Sequence, residues 1–121
     1  MRWPILPDRP ETPTNDPLCL NQAMLEWRKA IIDKTAPEPA GVGIGYMLQG
    51  GSSASTVDPF MLEPLPGEDF GSGPAHIMIF VPGGEENLSA FSTTPGPAPW
   101  VMNSGSPYAD LMVAIPPLPG N

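Results

Sequence analysis

"DPLCLNQAMLEWRKAIIDK", residues 16–34, decides the fold, because it carries the longest helical period in the chain. Leu20, Met24, Trp27 and Ile31 recur at spacings of four, three and four, which places them on one helix face. Asp16 suits the N-cap and Pro17 the first helical position, where a missing N–H costs nothing. Arg28, Lys29 and Lys34 lie towards the C-terminal end and complement the helix dipole. "TAPEPAG" (35–41) stops the helix, since neither proline can continue it. The spacing therefore predicts a helix over about residues 17–34 whose apolar stripe is core. Cys19 falls inside it and reads as a small buried hydrophobe. As the single cysteine it can form no intrachain disulfide.

On the N-terminal side, prolines at 4, 7, 10 and 13 repeat every third residue, the polyproline II period. Residues 1–15 are expected to form a stiff extended arm, with Trp3, Ile5 and Leu6 available to pin it to the domain or to a partner. Residues 16–121 then form one domain. On the C-terminal side the period changes from helical to alternating. "VGIGYMLQ" (42–49) interleaves Gly43 and Gly45 with larger residues, which suggests a strand closely approached on one face. It is no dinucleotide fingerprint, because Tyr46 stands where the third glycine belongs. "GGSSAST" (50–56) reads as a flexible turn and "VDPFMLEPLPGEDF" (57–70) as a long loop. "AHIMIFVP" (75–82), "WVMNS" (100–104) and "ADLMVAIP" (109–116) are three further strands, with a helical turn in "GGEENLSAF" (83–91). One helix and about four strands give an α+β domain, the helix covering a small, mainly antiparallel sheet.

Proline and glycine together make up about a quarter of the chain, close to the level at which disorder becomes the default. Apolar runs survive between them, so the expectation is an ordered core joined by long loops. Charge is partitioned. All five basic residues lie in residues 1–34, and from Thr35 onward there is no Lys or Arg but eight carboxylates. A nucleic acid needs cations to displace its counterions, so that partner is excluded, and an anionic membrane surface is disfavoured alike. No apolar run reaches the length needed to span a bilayer. The opening "MRWPILPDRP" does not read as a signal peptide, since prolines interrupt a short apolar stretch. Partners still open are a small molecule, a cation or a protein; oligomeric state is not legible.

"GPAHIMIF" (73–80) holds the single histidine. In a strand, residues two apart share a face, so His76 lies beside Met78, and in the last strand Asp110 lies beside Met112. Met47 and Met102 fall in the remaining strands. Three readings of this pattern compete. The methionines are adaptable core filler, with His76 capping a strand end. Alternatively, thioether and imidazole form a soft-metal site suited to Cu(I), with His76, Met78 and Met112 as ligands. In the third, His76 and Asp110 form an acid–base pair with Tyr108 as a proton donor. Other constellations fail sooner. There is no G-x-S-x-G, no phosphate loop and too few Cys and His for zinc. Glu68-Asp69 and Glu85-Glu86 read as solvated turn carboxylates, and "NLS" (87–89) matches a glycosylation pattern common by chance.

The blocks "YMLQGGSSASTVDPF", "PGEDF", "GPAHIMIFVPG" and "PWVMNSGSPYADLMVAIP" resemble a family of small exported bacterial proteins with no assigned activity, over roughly residues 16–116. The resemblance implies a periplasmic or extracellular location, with a leader ahead of the helix; a cytosolic location is the alternative. It also implies a histidine where this chain has Asp110 and an aromatic residue where it has Asn103. The leading expectation is a non-enzymatic binding module whose site lies near His76, Met78, Met112, Tyr108, Asp110 and Asn103, with Ser52 and Ser53 on its rim. The alternatives are a small enzyme using His76 with Asp110, or an accessory subunit docking through its arm. No cofactor is expected beyond Cu(I) as a candidate.

Overall fold

Asn21, and not Asp16, caps the helix. Its backbone is extended, and its side-chain Oδ1 accepts from Met24 N at 3.0 Å, so helix α1 runs Gln22–Asp33. In the computed structural model, which describes residues 5–7, 17–38 and 40–116, the preceding Leu18–Leu20 is a strand. Asp16, Trp3 and most of the expected proline arm lie outside the described residues. The helix thus starts later than the spacing predicts, for a physical reason. Leu20 keeps helical spacing to Met24, but it reaches the same core from a strand. Cys19 is corrected with it: it lies on a strand and is half-buried. Lys34 ends the helix in the left-handed region (φ 57°), and its Nζ sits 5.5 Å over the Phe60 ring.

The strands are β1 (Ile5–Leu6), β2 (Leu18–Leu20), β3 (Gly43–Met47), β4 (Gly51–Ser53), β5 (Gly71–Gly73), β6 (His76–Phe80), β7 (Trp100–Met102) and β8 (Asp110–Ala114). Six of them form one sheet in the order β1-β2-β3-β6-β8-β7, every pair antiparallel. The α+β class stands, while the sheet is wider than four strands because β1 and β2 extend it. Ile5 and Leu6 of the expected arm pair with β2, and Leu6 packs against the core. The stretch expected to be a flexible turn contains β4, which pairs with β5 in a separate two-stranded sheet. A helical turn, α2 (Gly84–Asn87), lies where one was expected.

Strand alternation and register put Leu6, Leu18, Leu20, Gly43, Gly45, Met47, His76, Met78, Phe80, Asp110, Met112, Trp100 and Met102 on one face. Helix α1 lies on that face over β3. A Cβ at Gly43 would stand 3.1 Å from both Met24 N and Met24 Cα, and one at Gly45 would stand 3.1 Å from Leu18 Cδ1. The two glycines form the groove that admits the helix backbone, as their alternation predicts. Asn21 fastens the arrangement: besides capping the helix, Oδ1 accepts from Ile44 N at 3.0 Å, and Nδ2 donates to Val42 O at 3.1 Å. Met24, Trp27 and Ala30 are buried beneath the helix. The opposite face carries Ile44, Tyr46, Ile77, Ile79, Leu111 and Val113, all half-buried, with Leu88 packed over Val101 and Ala109 at one end. Apolar residues on both faces explain why β6 and β8 read as nearly unbroken apolar runs.

Gly43→Ala is expected to lower stability by about 1–3 kcal/mol, because the obstacle is helix backbone. Gly45→Ala should cost less, since Leu18 and the Met24 side chain can yield. Asn21→Ala should cost more than the ~1 kcal/mol of an isolated N-cap, as it also removes the bonds to Ile44 N in β3 and to Val42 O just before it. Urea unfolding of the three variants checks this ordering.

Candidate functional site

Pro74 precedes β6 and turns its carbonyl onto the first strand residue. His76 Nδ1 lies 2.8 Å from Pro74 O. A carbonyl only accepts, so Nδ1 carries the proton and a neutral ring presents Nε2 as a bare acceptor. His76 is 6% exposed, and Nε2 is buried with no hydrogen-bond partner. Burying a polar atom without a partner is costly, which makes this nitrogen the most conspicuous chemical feature of the covered face.

Methionines occupy the neighbouring positions of the sheet face. Met47 is the direct cross-strand partner of His76, Met78 lies two residues along the same strand, and Met112 stands opposite Met78. Trp100 and Met102 continue the face on β7. Gly51 closes over the pair at the strand end: a Cβ there would stand 3.6 Å from Met47 Sδ, 3.6 Å from His76 Cε1 and 2.9 Å from Met47 Cε. The absent side chain leaves the imidazole edge and the thioether facing one small space.

That space opens into a cavity of about 1490 Å³, between the part of the sheet face beyond α1 and the segment 51–74. It exceeds the roughly 300–1,000 Å³ usual for small-molecule sites. His76, Met47, Met61, Met78, Met102 and Met112 all line it. Five of the chain's seven methionines therefore share one cavity with its one histidine. The segment 51–74 is tied down at β7, where Asn103 N donates to Thr56 O at 2.6 Å. Leu62 and Leu65, both exposed, line the cavity on this segment.

The sequence-derived site residues divide into two groups. His76, Met78, Met112, Ser52, Ser53 and Asn103 all line the cavity. Asp110 and Tyr108 are held elsewhere. His76 pairs with Ala114, four residues along β8 from Asp110, so at ~3.3 Å per residue roughly 13 Å of strand separates the two. The acid–base pair expected from the sequence is not formed, because alternation fixes the face of a residue and not its level along the strand. Tyr108 is no free proton donor: its hydroxyl donates to Thr35 O at 2.5 Å, and its ring meets Phe60 edge-on at 5.4 Å. Trp27 Nε1 donates to Tyr108 O at 3.0 Å. Tyr108 thus fastens the end of α1 to the start of β8.

Asp110 is fully buried, and desolvation raises its pKa well above the ordinary carboxylate value. Its Oδ1 accepts from Asn103 Nδ2 at 3.4 Å, while Asp110 Oδ2 and Asn103 Oδ1 have no partner. A protonated Asp110 has one O–H to give, and the amide beside it has an acceptor to spare, so the neutral acid suits this pairing. Asn103 is also in the left-handed region (φ 59°), which asparagine tolerates better than an aromatic residue. The strand expected over 100–104 therefore ends at Met102, because Asn103 turns the chain out of the extended conformation. Met47, Met61, Met102, Trp100 and Gly51 were not singled out as site residues. Period two could have placed Met47 and Met102 on a face, but only pairing shows that it is the face of His76.

Among the described residues, no group of three or more His, Cys, Asp or Glu side chains gathers to hold a metal, and no helix is long and apolar enough to cross a membrane. Comparison with protein-family models, with curated proteins and with solved structures returns no match.

Stability should depend on pH through Asp110. Its folded pKa lies above the unfolded value, so its contribution is complete below the unfolded pKa near 3.8 and declines as pH rises towards the raised folded value. Asp110→Asn is expected to raise the melting temperature at pH 7 and to leave it little changed near pH 3. Paired thermal melts across that range check it.

Proposed function

We propose that the chain is a small-ligand-binding module rather than an enzyme, and that its ligand occupies the methionine-lined cavity in contact with His76. The observation that carries this reading is that His76, whose Nε2 is buried without a hydrogen-bond partner, is among the residues lining a large, mainly apolar cavity. A ligand that engages the nitrogen would offset the cost of burying it. Flexible thioethers suit such a role, since they repack around ligands of differing shape. The catalytic alternative lacks support, because the imidazole has a carbonyl behind it and no carboxylate.

Two further features agree with this reading. Asp58, Glu63 and Glu68 line the cavity against Arg28 as the basic residue there, so its charge is net negative and the ligand is expected to be neutral or cationic. Asn103 and Asp110, where the resemblance implied an aromatic residue and a histidine, contact each other. Asn103 lines the cavity, where an aromatic ring would fill space. An exported location, a protein partner and the oligomeric state remain proposals of lower rank, with Leu6 on the chain's own core arguing against an arm free to dock elsewhere.

The test uses a neutral aromatic probe, N-phenyl-1-naphthylamine, whose fluorescence rises in apolar surroundings. Saturable binding is expected, with energy transfer from Trp100 or Trp27, both on the cavity wall. Met102→Trp, which places bulk in the cavity, should weaken probe binding by at least about tenfold, equivalent to ~1.4 kcal/mol. Absence of saturable binding of both this probe and a soft metal ion to the folded wild-type protein would remove the reading.

A further inference from the structure

We infer that the cavity wall around His76 is a Cu(I) site, with His76 Nε2 and the thioether sulfurs of Met47, Met78 and Met112 as donors. The inference rests on the binding-module reading above and names the ligand class for the same site. Four observations carry it.

The first is the donor set. Cu(I) is a soft cation that selects thioether and imidazole, whereas Zn(II) takes mainly thiolate, imidazole and carboxylate. No cluster of the harder donors exists among the described residues, but one imidazole and three thioethers share a sheet face. The second is spacing. Directly opposed residues in an antiparallel pair have Cβ atoms about 4.5–5.5 Å apart, and diagonal neighbours about 7–8 Å. Met47 is opposed to His76, and Met112 is its diagonal neighbour across β8. Met78 shares its strand face. Unbranched thioether side chains can fold inward from these distances towards one point above the ring.

The third is orientation. Histidine ligands usually donate their other ring N–H to a carbonyl or carboxylate, which fixes the tautomer and aims the free lone pair. Pro74 O performs that task for Nδ1, and Nε2 is left buried and unpartnered. The fourth is the cradle at Gly51, where hydrogen replaces a side chain that would meet both Met47 Sδ and His76 Cε1 at 3.6 Å. Binding requires no bond to break and no change of oxidation state. Nε2 and the sulfurs donate lone pairs, Nδ1 keeps its proton, and the metal enters and leaves as Cu(I).

The experiment is an anaerobic competition between the full chain and the chromogenic Cu(I) chelator bicinchoninate, with Ag(I) as a second soft probe. One equivalent of Cu(I) is expected to pass to the protein. Met47→Leu, Met78→Leu and Met112→Leu, which conserve volume, should each weaken binding by about tenfold or more, while Met61→Leu should not. Gly51→Ala should weaken it without removing a donor. Cys19→Ser should have no effect, because Cys19 pairs with Tyr46 and so faces the other side of the sheet. The inference is overturned if no Cu(I) leaves the chelator. It is equally overturned if Cys19→Ser abolishes transfer, or if the three Met→Leu variants bind as tightly as wild type. Circular dichroism of each variant separates loss of donors from loss of fold. If copper fails while N-phenyl-1-naphthylamine still binds, only the metal assignment falls; if both fail, the binding-module reading falls with it.

Discussion

The backbone of Met24 lying against Gly43 is the contact on which the rest of this structure depends. A helix can approach a strand to backbone distance only where the strand has no side chain, and β3 supplies that opening at alternate residues. Asn21 makes the approach directional, because one side chain both caps the helix and bonds the strand it rests upon. Once α1 is seated there, Trp27 and Ala30 are carried over Phe80 and the central strands. Trp27 lies 6.4 Å from the Phe80 ring, centroid to centroid. The indole N–H then fixes the start of β8 through Tyr108 O.

A helix this short cannot cover a sheet of six strands. At ~1.5 Å per residue, its 12 residues span roughly 18 Å, and its position over the glycines leaves the His76 end of β6 beyond its reach. The cavity beside that end is lined by the segment 51–74 together with Trp27, Arg28, Ile31 and Ile32 on the flank of α1. The contrast between the two ends explains the composition of the face. Leucines and aromatic rings dominate beneath the helix, whereas Met47, His76, Met78 and Met112 gather towards the other end of the face.

The two buried polar groups on this face differ in kind. Asp110 is satisfied in part by Asn103 and burial raises its pKa, so its role is internal to the β7–β8 end. Buried polar pairs of this sort hold register at some expense of stability. Register matters here because both faces of β6 and β8 are apolar, and a one-residue slip would expose no charge that penalises it. Moving Asp110 away from Asn103 would supply such a penalty. His76 has a backbone carbonyl on Nδ1, while its Nε2 is buried without a partner and the residue lines the cavity.

Much of this could be read from the sequence. The alternating glycines at 43 and 45 announced a close approach, and Met24, Trp27 and Ile31 announced a helix that buries one stripe. "HIMIF" and "DLMVA" announced strands in which His76 lies beside Met78 and Asp110 beside Met112. These are local facts, set by the periods 3.6 and 2 of the chain itself. What only the tertiary structure decided is which residues stand opposite one another. Strands β6 and β8 are separated by some thirty residues, and both alternate apolar side chains, so many registers satisfy the sequence equally well. The pairing that forms sets His76 against Met47 and Ala114 and leaves Asp110 four residues away along β8. The same long-range choice drew Leu18–Leu20 out of the helix into the sheet, because hydrogen bonds to β3 were available only after the chain had folded back. Local periodicity fixes the direction in which a side chain points, and distant strand pairing fixes what it meets.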